Sequence, residues 1–153
     1  VSEVNGFVSC SIPERDEIFD PGQGQVSNDD SAAFNVRFEG GTLASFVASR
    51  LGVARHTIEI YGEGGMMLFR DDRPAEVEVW FKEKDGGYAG KPEVITVDAD
   101  LVTDPWFFAE IDDFIHCIQT GERPDRNFDR ALYIQDLLDK ILLACETGKT
   151  IHI

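Results

Sequence analysis

The sequence predicts an α+β domain in which a mostly antiparallel sheet comes first and two helices come last. Apolar and polar residues alternate along much of residues 1–98, which is the pattern of half-buried strands. From about residue 104 the apolar residues recur every three or four positions, which is the pattern of amphipathic helices. Strands grouped before helices favour a large open sheet with both helices packed on one face and the other face available for association.

Seven segments before residue 98 have the alternation of strands. In residues 31–38 every second side chain is apolar, so one face of this strand is predicted to be buried. A Gly-Gly turn follows, and residues 42–50 are predicted to return as its hairpin partner. Ile58 and Ile60 are predicted to point inward in the same way. The seven segments are residues 4–12, 31–38, 42–50, 56–62, 66–69, 75–82 and 93–98.

Two helices and a short strand are predicted at the end of the chain. The first helix begins at the cap signal Asp104-Pro105 and ends at Gly121. The second follows residues 122–127 and ends at Thr147-Gly148, where glycine is favoured as the cap. The tail, residues 150–153, is predicted to be a strand. The apolar stripe of the second helix is predicted to be Ala131, Ile134, Leu138, Ile141 and Cys145.

Length, composition and charge limit the classes of function. The chain has 153 residues, of which 42% are hydrophobic and 28% charged, as expected for one globular domain over residues 1–153. Its 14 basic and 29 acidic residues give a net charge of -15, which disfavours nucleic acid and membrane surfaces as partners. Cys10, Cys117 and Cys145 are odd in number and lack zinc-binding spacing, which favours a reduced, cytoplasmic protein. Because the chain begins with Val1 and no signal peptide is evident, we expect it to be part of a longer protein.

The face of the sheet away from the helices is predicted to be unusually apolar. Tyr61 and Trp80 are expected on that face, and the segment containing Met67 and Phe69 is apolar at every position. An antiparallel sheet open to water normally has a polar second face, so we expect a second copy of the chain or another protein to cover this one. The alternative is a scatter of individually exposed aromatic residues.

No complete catalytic or metal site can be assembled from the sequence. The glycine clusters at residues 22–24 and 62–65 do not join a strand to a helix, so they are interpreted as turn glycines. Asp112 and His116 have a D-x-x-x-H spacing that could serve acid-base chemistry, but they lie on the polar face of the predicted helix, and a solvated surface is favoured. His152 has no partner that the sequence identifies.

One loop of the chain concentrates basic residues. Arg50, Arg55 and His56 are predicted in the loop between two strands, where they could bind hydroxyl, carboxylate or phosphate groups of a ligand. The alternative is a set of local salt bridges to the abundant carboxylates.

Three strings in order resemble the C-terminal domain of the Gfo/Idh/MocA oxidoreductases, the family of glucose-fructose oxidoreductase and inositol dehydrogenase. They are VRFEGGTLASFVAS, HTIEIYGEGGMMLF and the two-helix ending that contains TGERP and ETGKTI. The resemblance runs from about residue 29 to residue 153. It implies a longer parent protein whose N-terminal Rossmann domain binds NAD or NADP and is missing here. Members of the family typically oxidise or reduce a hydroxyl or carbonyl carbon of sugars, cyclitols and related molecules.

The resemblance also indicates what this domain contributes. It implies a domain that lines the substrate site and associates through its open sheet, and the family places substrate contacts in the loop that holds Arg50, Arg55 and His56. The family's acid-base histidine lies on a helix before the first strand of this chain, so its role does not pass to Asp112 and His116, and no catalytic or cofactor-binding residue is assigned. We predict a substrate-binding and oligomerisation domain of an NAD(P)-dependent oxidoreductase that is inactive alone; the alternative is a non-catalytic module that binds a protein partner through its sheet.

Overall fold

The computed structural model describes residues 1–17, 19, 21–82, 90–98, 106–124 and 127–153. The chain divides into two compact units, Val1–Val53 with Asp125–Ile153 and Ala54–Pro124. The first contains β1 (Glu3–Ser9), β2 (Glu14–Asp16), β3 (Gln23–Gln25), β4 (Ser31–Arg37), β5 (Leu43–Ser49), α2 (Phe128–Thr147) and β10 (Ile151–His152). The second contains β6 (Thr57–Gly62), β7 (Gly65–Arg70), β8 (Glu76–Phe81), β9 (Glu93–Thr96) and α1 (Trp106–Thr120). The predicted helix cap at Asp104 and Pro105 lies outside the described residues.

The first unit is built on a four-stranded antiparallel sheet with the order β10-β1-β4-β5. Val4 in β1 pairs with Val36 in β4, so the two side chains lie next to each other on one face. Helix α2 packs against β1, and the core there consists of Val4, Val36 and two helix residues, Ile141 and Ala144, none more than 6% exposed. The hairpin predicted for β4 and β5 is confirmed.

Helix α2 is defined by caps at both ends. The side chain of Asn127 accepts hydrogen bonds from the backbone N–H groups of Asp129 and Arg130 at 3.0 and 3.2 Å, which satisfies donors that have no partner inside the helix. Gly148 has a φ of 63°, the left-handed conformation that glycine adopts without strain. The predicted C-terminal cap is therefore confirmed.

The buried stripe of α2 differs from the predicted one. Ile141 and Ala144 are buried, whereas Ile134 and Leu138 remain 47% and 46% exposed. The helix contacts β1 and β10, and its buried residues lie in its C-terminal half. Spacing alone identified an apolar stripe but not which part of that stripe meets the sheet.

The second unit contains the antiparallel sheet β6-β7-β8-β9. Gly62 and Gly65 are paired across the turn between β6 and β7. At Gly65, φ is 154° and an added Cβ would lie 1.9 Å from the carbonyl oxygen of Trp80, so only glycine fits. Ile58 and Ile60 were predicted to point inward, but in the edge strand β6 they keep 56% and 53% of their surface exposed.

The β2–β3 hairpin of the first unit is held by an ion pair between Arg15 in β2 and the buried carboxylate of Asp30, which precedes β4. Asp30 is 2% exposed, accepts the backbone N–H groups of Ser11 and Ile12 at 3.0 and 2.9 Å, and forms a salt bridge with Arg15. The Ile12 N–H contributes most to holding the pKa of Asp30 below its ordinary value of 3.8, with burial opposing and the Arg15 charge assisting. The sequence did not predict this hairpin.

The α+β class, the antiparallel pairing and the two C-terminal helices are confirmed. Hydrogen bonds join the described strands into two four-stranded sheets and the β2–β3 hairpin, whereas the sequence predicts one large sheet. Within the described part of the chain, no helix combines the length and apolar character needed to cross a membrane.

Candidate functional site

His56 and Asp71 form the most closely connected polar pair at the predicted ligand loop. His56 precedes β6 and Asp71 follows β7, and the register of these strands brings the two residues together. The backbone N–H of His56 donates to Oδ2 of Asp71 at 2.8 Å, and the backbone N–H of Asp71 donates to the carbonyl of His56 at 3.1 Å. Oδ2 of Asp71 also lies 3.1 Å from Nδ1 of the imidazole. Asp71 therefore holds both the backbone and the ring of His56.

The environment of Asp71 favours its charged form. The hydrogen bond from the His56 backbone is the largest cause that lowers the pKa of Asp71 below 3.8, while partial burial acts in the opposite direction. The imidazole of His56 is 82% exposed, and its Nε2 atom has no hydrogen-bond partner among the described residues. The pair thus presents one imidazole nitrogen to solvent and fixes the other.

The two arginines of the predicted ligand loop fall in different units. Arg50 follows β5 in the first unit, where its backbone N–H donates to the carbonyl of Asp30 at 2.9 Å. Arg55 lies beside His56 in the second unit, and both arginines are exposed. Among the described residues, neither guanidinium has a carboxylate partner. Of the three predicted ligand residues, only His56 contacts a carboxylate among the described residues.

The face of the first sheet that points away from α2 carries rows of polar side chains, which the sequence analysis did not identify. Asn35 donates to Asn5 at 3.1 Å and accepts from the hydroxyl of Ser45 at 2.7 Å. In the neighbouring cross-strand row of the same face, Nε of Arg37 donates a hydrogen bond to the carboxylate of Glu3 at 2.9 Å. These residues line a groove of about 260 Å³. The only sequence signal was the polar side of the predicted strand 31–38.

The histidine without a predicted partner also belongs to this face. Nδ1 of His152 in β10 lies 3.5 Å from Oε1 of Glu3, because β10 pairs with β1 and places His152 opposite Glu3. The terminal strand therefore contributes to the polar rows of the first sheet.

The four residues predicted to form an association surface do not share one face. Tyr61 and Trp80 lie in one cross-strand row through Met66, whereas Met67 and Phe69 lie on the opposite face of the same sheet. Tyr61 is 72% and Met67 42% exposed. Trp80 is half-buried and its Nε1 donates to the carbonyl of Gly90 at 3.1 Å. The pleat of the strands separates this set, since neighbouring positions point to opposite faces.

The D-x-x-x-H spacing of α1 is on the helix surface. Nε2 of His116 lies 3.5 Å from Oε2 of Glu122, and both side chains are more than half exposed. This agrees with the solvated surface favoured from the sequence. Within the described residues, no group of three or more His, Cys, Asp or Glu side chains is arranged to hold a metal ion.

The first part of the chain matches the model of a known family. Residues 1–68 match the GFO/IDH/MocA C-terminal domain. The predicted resemblance is confirmed over this segment, which runs from β1 into β7. It includes Arg50, Arg55 and His56 but ends before Asp71, so the partner of His56 lies outside the GFO/IDH/MocA match. No match is found among curated proteins.

Several solved structures share the fold over nearly all of this chain. A levoglucosan dehydrogenase in complex with NADH and L-sorbose is 22% identical, with a TM-score of 0.84 over 99% of this chain and 45% of its own. An oxidoreductase domain protein from Kribbella flavida is 22% identical, with a TM-score of 0.79 over 99% and 44%. An NAD binding oxidoreductase from Klebsiella pneumoniae is 19% identical, with a TM-score of 0.81 over 99% and 45%. The chain therefore spans a little under half the length of these proteins.

Proposed function

We propose that this chain is the substrate-binding and oligomerisation domain of an NAD(P)-dependent oxidoreductase that acts on a hydroxyl or carbonyl carbon of a sugar, cyclitol or related compound. The observation that carries the proposal is the match of residues 1–68 to the GFO/IDH/MocA C-terminal domain. The likeness of fold to a levoglucosan dehydrogenase solved with NADH and L-sorbose supports the class of ligand. Since the chain corresponds to less than half of such a protein, the activity belongs to the whole protein.

The described residues of this chain do not form a site for a dinucleotide cofactor by themselves. A bound dinucleotide needs a glycine-rich loop between a strand and a helix, so that the helix N-terminus faces the pyrophosphate. Gly24 lies in β3 of a hairpin, and Gly62 and Gly65 flank the turn between β6 and β7. We therefore assign the cofactor site to another part of the parent protein and give this chain the task of binding and orienting the substrate.

Substrate contacts are assigned to Arg55 and His56 in the second unit, and Arg50 in the first unit is a separate candidate contact. The two guanidinium groups are donors only, and a neutral imidazole offers an acceptor as well. A polyol needs both kinds of partner, because each hydroxyl group both donates and accepts. The exposure of all three side chains leaves these groups accessible to a ligand.

The experiment that tests the proposal is an assay of the full-length protein for NAD⁺- or NADP⁺-dependent oxidation of levoglucosan and a panel of sugars and cyclitols. We expect turnover of at least one polyol by the full-length protein and none by the isolated 153-residue chain. Turnover by the isolated chain, after removal of contaminating host enzymes, would contradict the assignment of the cofactor site to another part of the parent protein. A full-length protein that binds neither NADH nor NADPH would contradict the reaction class.

We also propose that the parent is a homo-oligomer that associates through an exposed sheet face. Ile58, Ile60 and Met67 lie on one face of the second sheet, and each is between 42% and 56% exposed. An apolar surface of this kind is stabilised when a second copy removes it from water. Tyr61 is exposed on the opposite face of the sheet and is not part of this contact surface.

A further inference from the structure

We propose that Asp71 is a positioning residue that holds the imidazole of His56 in one tautomer, so that Nε2 of His56 accepts a hydrogen bond from a hydroxyl group of the substrate. For the class of ligand this inference rests on the proposed function. The Asp71–His56 contacts themselves lie within the second unit and do not depend on it.

The contacts between the two residues favour one position of the imidazole proton. Oδ2 of Asp71 is 3.1 Å from Nδ1 of His56, and a carboxylate can only accept a hydrogen bond. In the neutral ring, this contact favours a hydrogen on Nδ1. A neutral imidazole has a single N–H group, so Nε2 carries a lone pair. The two backbone hydrogen bonds between the same residues, at 2.8 and 3.1 Å, hold this arrangement at the end of the β6–β7 hairpin.

The chemistry of the ligand follows from the free nitrogen. Nε2 has no partner in the described part of the chain, and the imidazole is 82% exposed, so a ligand can reach it. An acceptor requires a ligand that donates, which a hydroxyl group does and a fully ionised phosphate or carboxylate does not. A neutral polyol fits these conditions.

The tautomer can be measured without any activity. In the full-length protein labelled with ¹⁵N at histidine, with His56→Asn used to assign the signals, we expect Nδ1 of neutral His56 to have the shift of a protonated nitrogen and Nε2 that of an unprotonated one. Asp71→Ala should move the neutral ring towards the Nε2–H form. Asp72→Ala removes a carboxylate from the next, exposed position and should leave the shifts unchanged. If Asp71→Ala does not fold, Asp71→Asn supplies the comparison.

The ligand contact is tested by kinetics on the full-length protein with levoglucosan, or with whichever polyol of the panel it oxidises. His56→Asn keeps an amide that can reach Asp71 but has no group at the position of Nε2. We expect it to raise KM roughly threefold to tenfold, the range for one lost hydrogen bond, with a smaller effect on kcat. Asp71→Ala should raise KM in the same direction and Asp72→Ala should not. His56→Gln, whose amide reaches farther, should restore part of the binding.

The outcomes separate the two proposals. An Nε2–H tautomer in the wild type, or nitrogen shifts that Asp71→Ala leaves unchanged, would overturn the positioning role of Asp71. Wild-type turnover with a KM that His56→Asn does not alter would overturn the hydroxyl contact and leave the proposed function standing. A wild-type protein that turns over no polyol would overturn the proposed function and the ligand contact together, while the nitrogen shifts would still decide the role of Asp71.

Discussion

At the scale of single residues, the structure joins groups that the sequence keeps apart. His56 was identified as a candidate from its basic neighbours, but its partner Asp71 was not, because the contact depends on the register of the β6–β7 hairpin. A signal for it exists in the sequence: if Gly62 pairs with Gly65, counting six residues outward along both strands brings His56 opposite Asp71. A turn whose two ends are known therefore predicts cross-strand partners as well as strands.

Asp30 is expected to make the free energy of unfolding depend on pH in the acidic range. Its pKa is lower in the folded protein than the ordinary value of 3.8, so the folded state binds this proton less readily than the unfolded state does. The resulting stabilisation is fully present above 3.8 and is lost as the pH falls through the folded pKa. Asp30→Asn should lower the free energy of unfolding at neutral pH, because a neutral amide then replaces the carboxylate that pairs with the guanidinium of Arg15.

The measurement for Asp30 is urea unfolding of the full-length protein at a series of pH values on both sides of 3.8. The difference between wild type and Asp30→Asn should shrink as the pH falls below that value. Asp29→Asn, which removes the same charge from an exposed neighbouring position, is the control and should give a smaller difference. A difference for Asp30→Asn that stays constant across the series would show that its carboxylate charge does not stabilise the fold.

At the scale of elements, the sequence predicted those with a strong period and missed those without one. The β4–β5 hairpin and the Gly148 cap were found because alternation and cap chemistry are local. The β2–β3 hairpin consists of Glu14–Asp16 and Gln23–Gln25, which have no apolar alternation, and the Asp30 cluster next to it forms through contacts between distant residues. The division of the strands between two larger sheets also depends on pairing that no single segment encodes.

The contact between α2 and its sheet predicts a difference between two neighbouring helix residues. Ile141 is 6% exposed and packs in the core with Val4 and Val36, whereas Leu142 is 45% exposed. Ile141→Ala should lower the free energy of unfolding by about 2–5 kcal/mol, because it removes buried methyl and methylene groups and leaves a cavity. Leu142→Ala should cost clearly less in the same denaturation experiment. Equal losses would mean that α2 presents a different face to β1.

At the scale of the whole molecule, the exposed apolar surface of the second sheet requires a physical explanation. We propose that a second copy of the chain covers this surface. The alternative from the sequence analysis is that a different protein covers it. Trp80 is a poor probe of either, because its indole donates to Gly90 within the same unit and its replacement would disturb that unit directly. Met67 is a better probe, since it is 42% exposed on the apolar face with Ile60.

Met67→Glu should weaken self-association of the full-length protein. The free energy needed to bury an unpaired carboxylate at an apolar contact is larger than the free energy gained by burying the apolar surface around it. We expect roughly a tenfold or greater rise in the dissociation constant, measured by light scattering over a range of protein concentrations. Thr57→Glu places the same charge on the opposite face of β6 and should leave the mass unchanged. If the wild type is an oligomer and Met67→Glu does not change its mass, the contact lies on another surface. If the wild type is a monomer, self-association is contradicted and a different protein is the partner that covers this face.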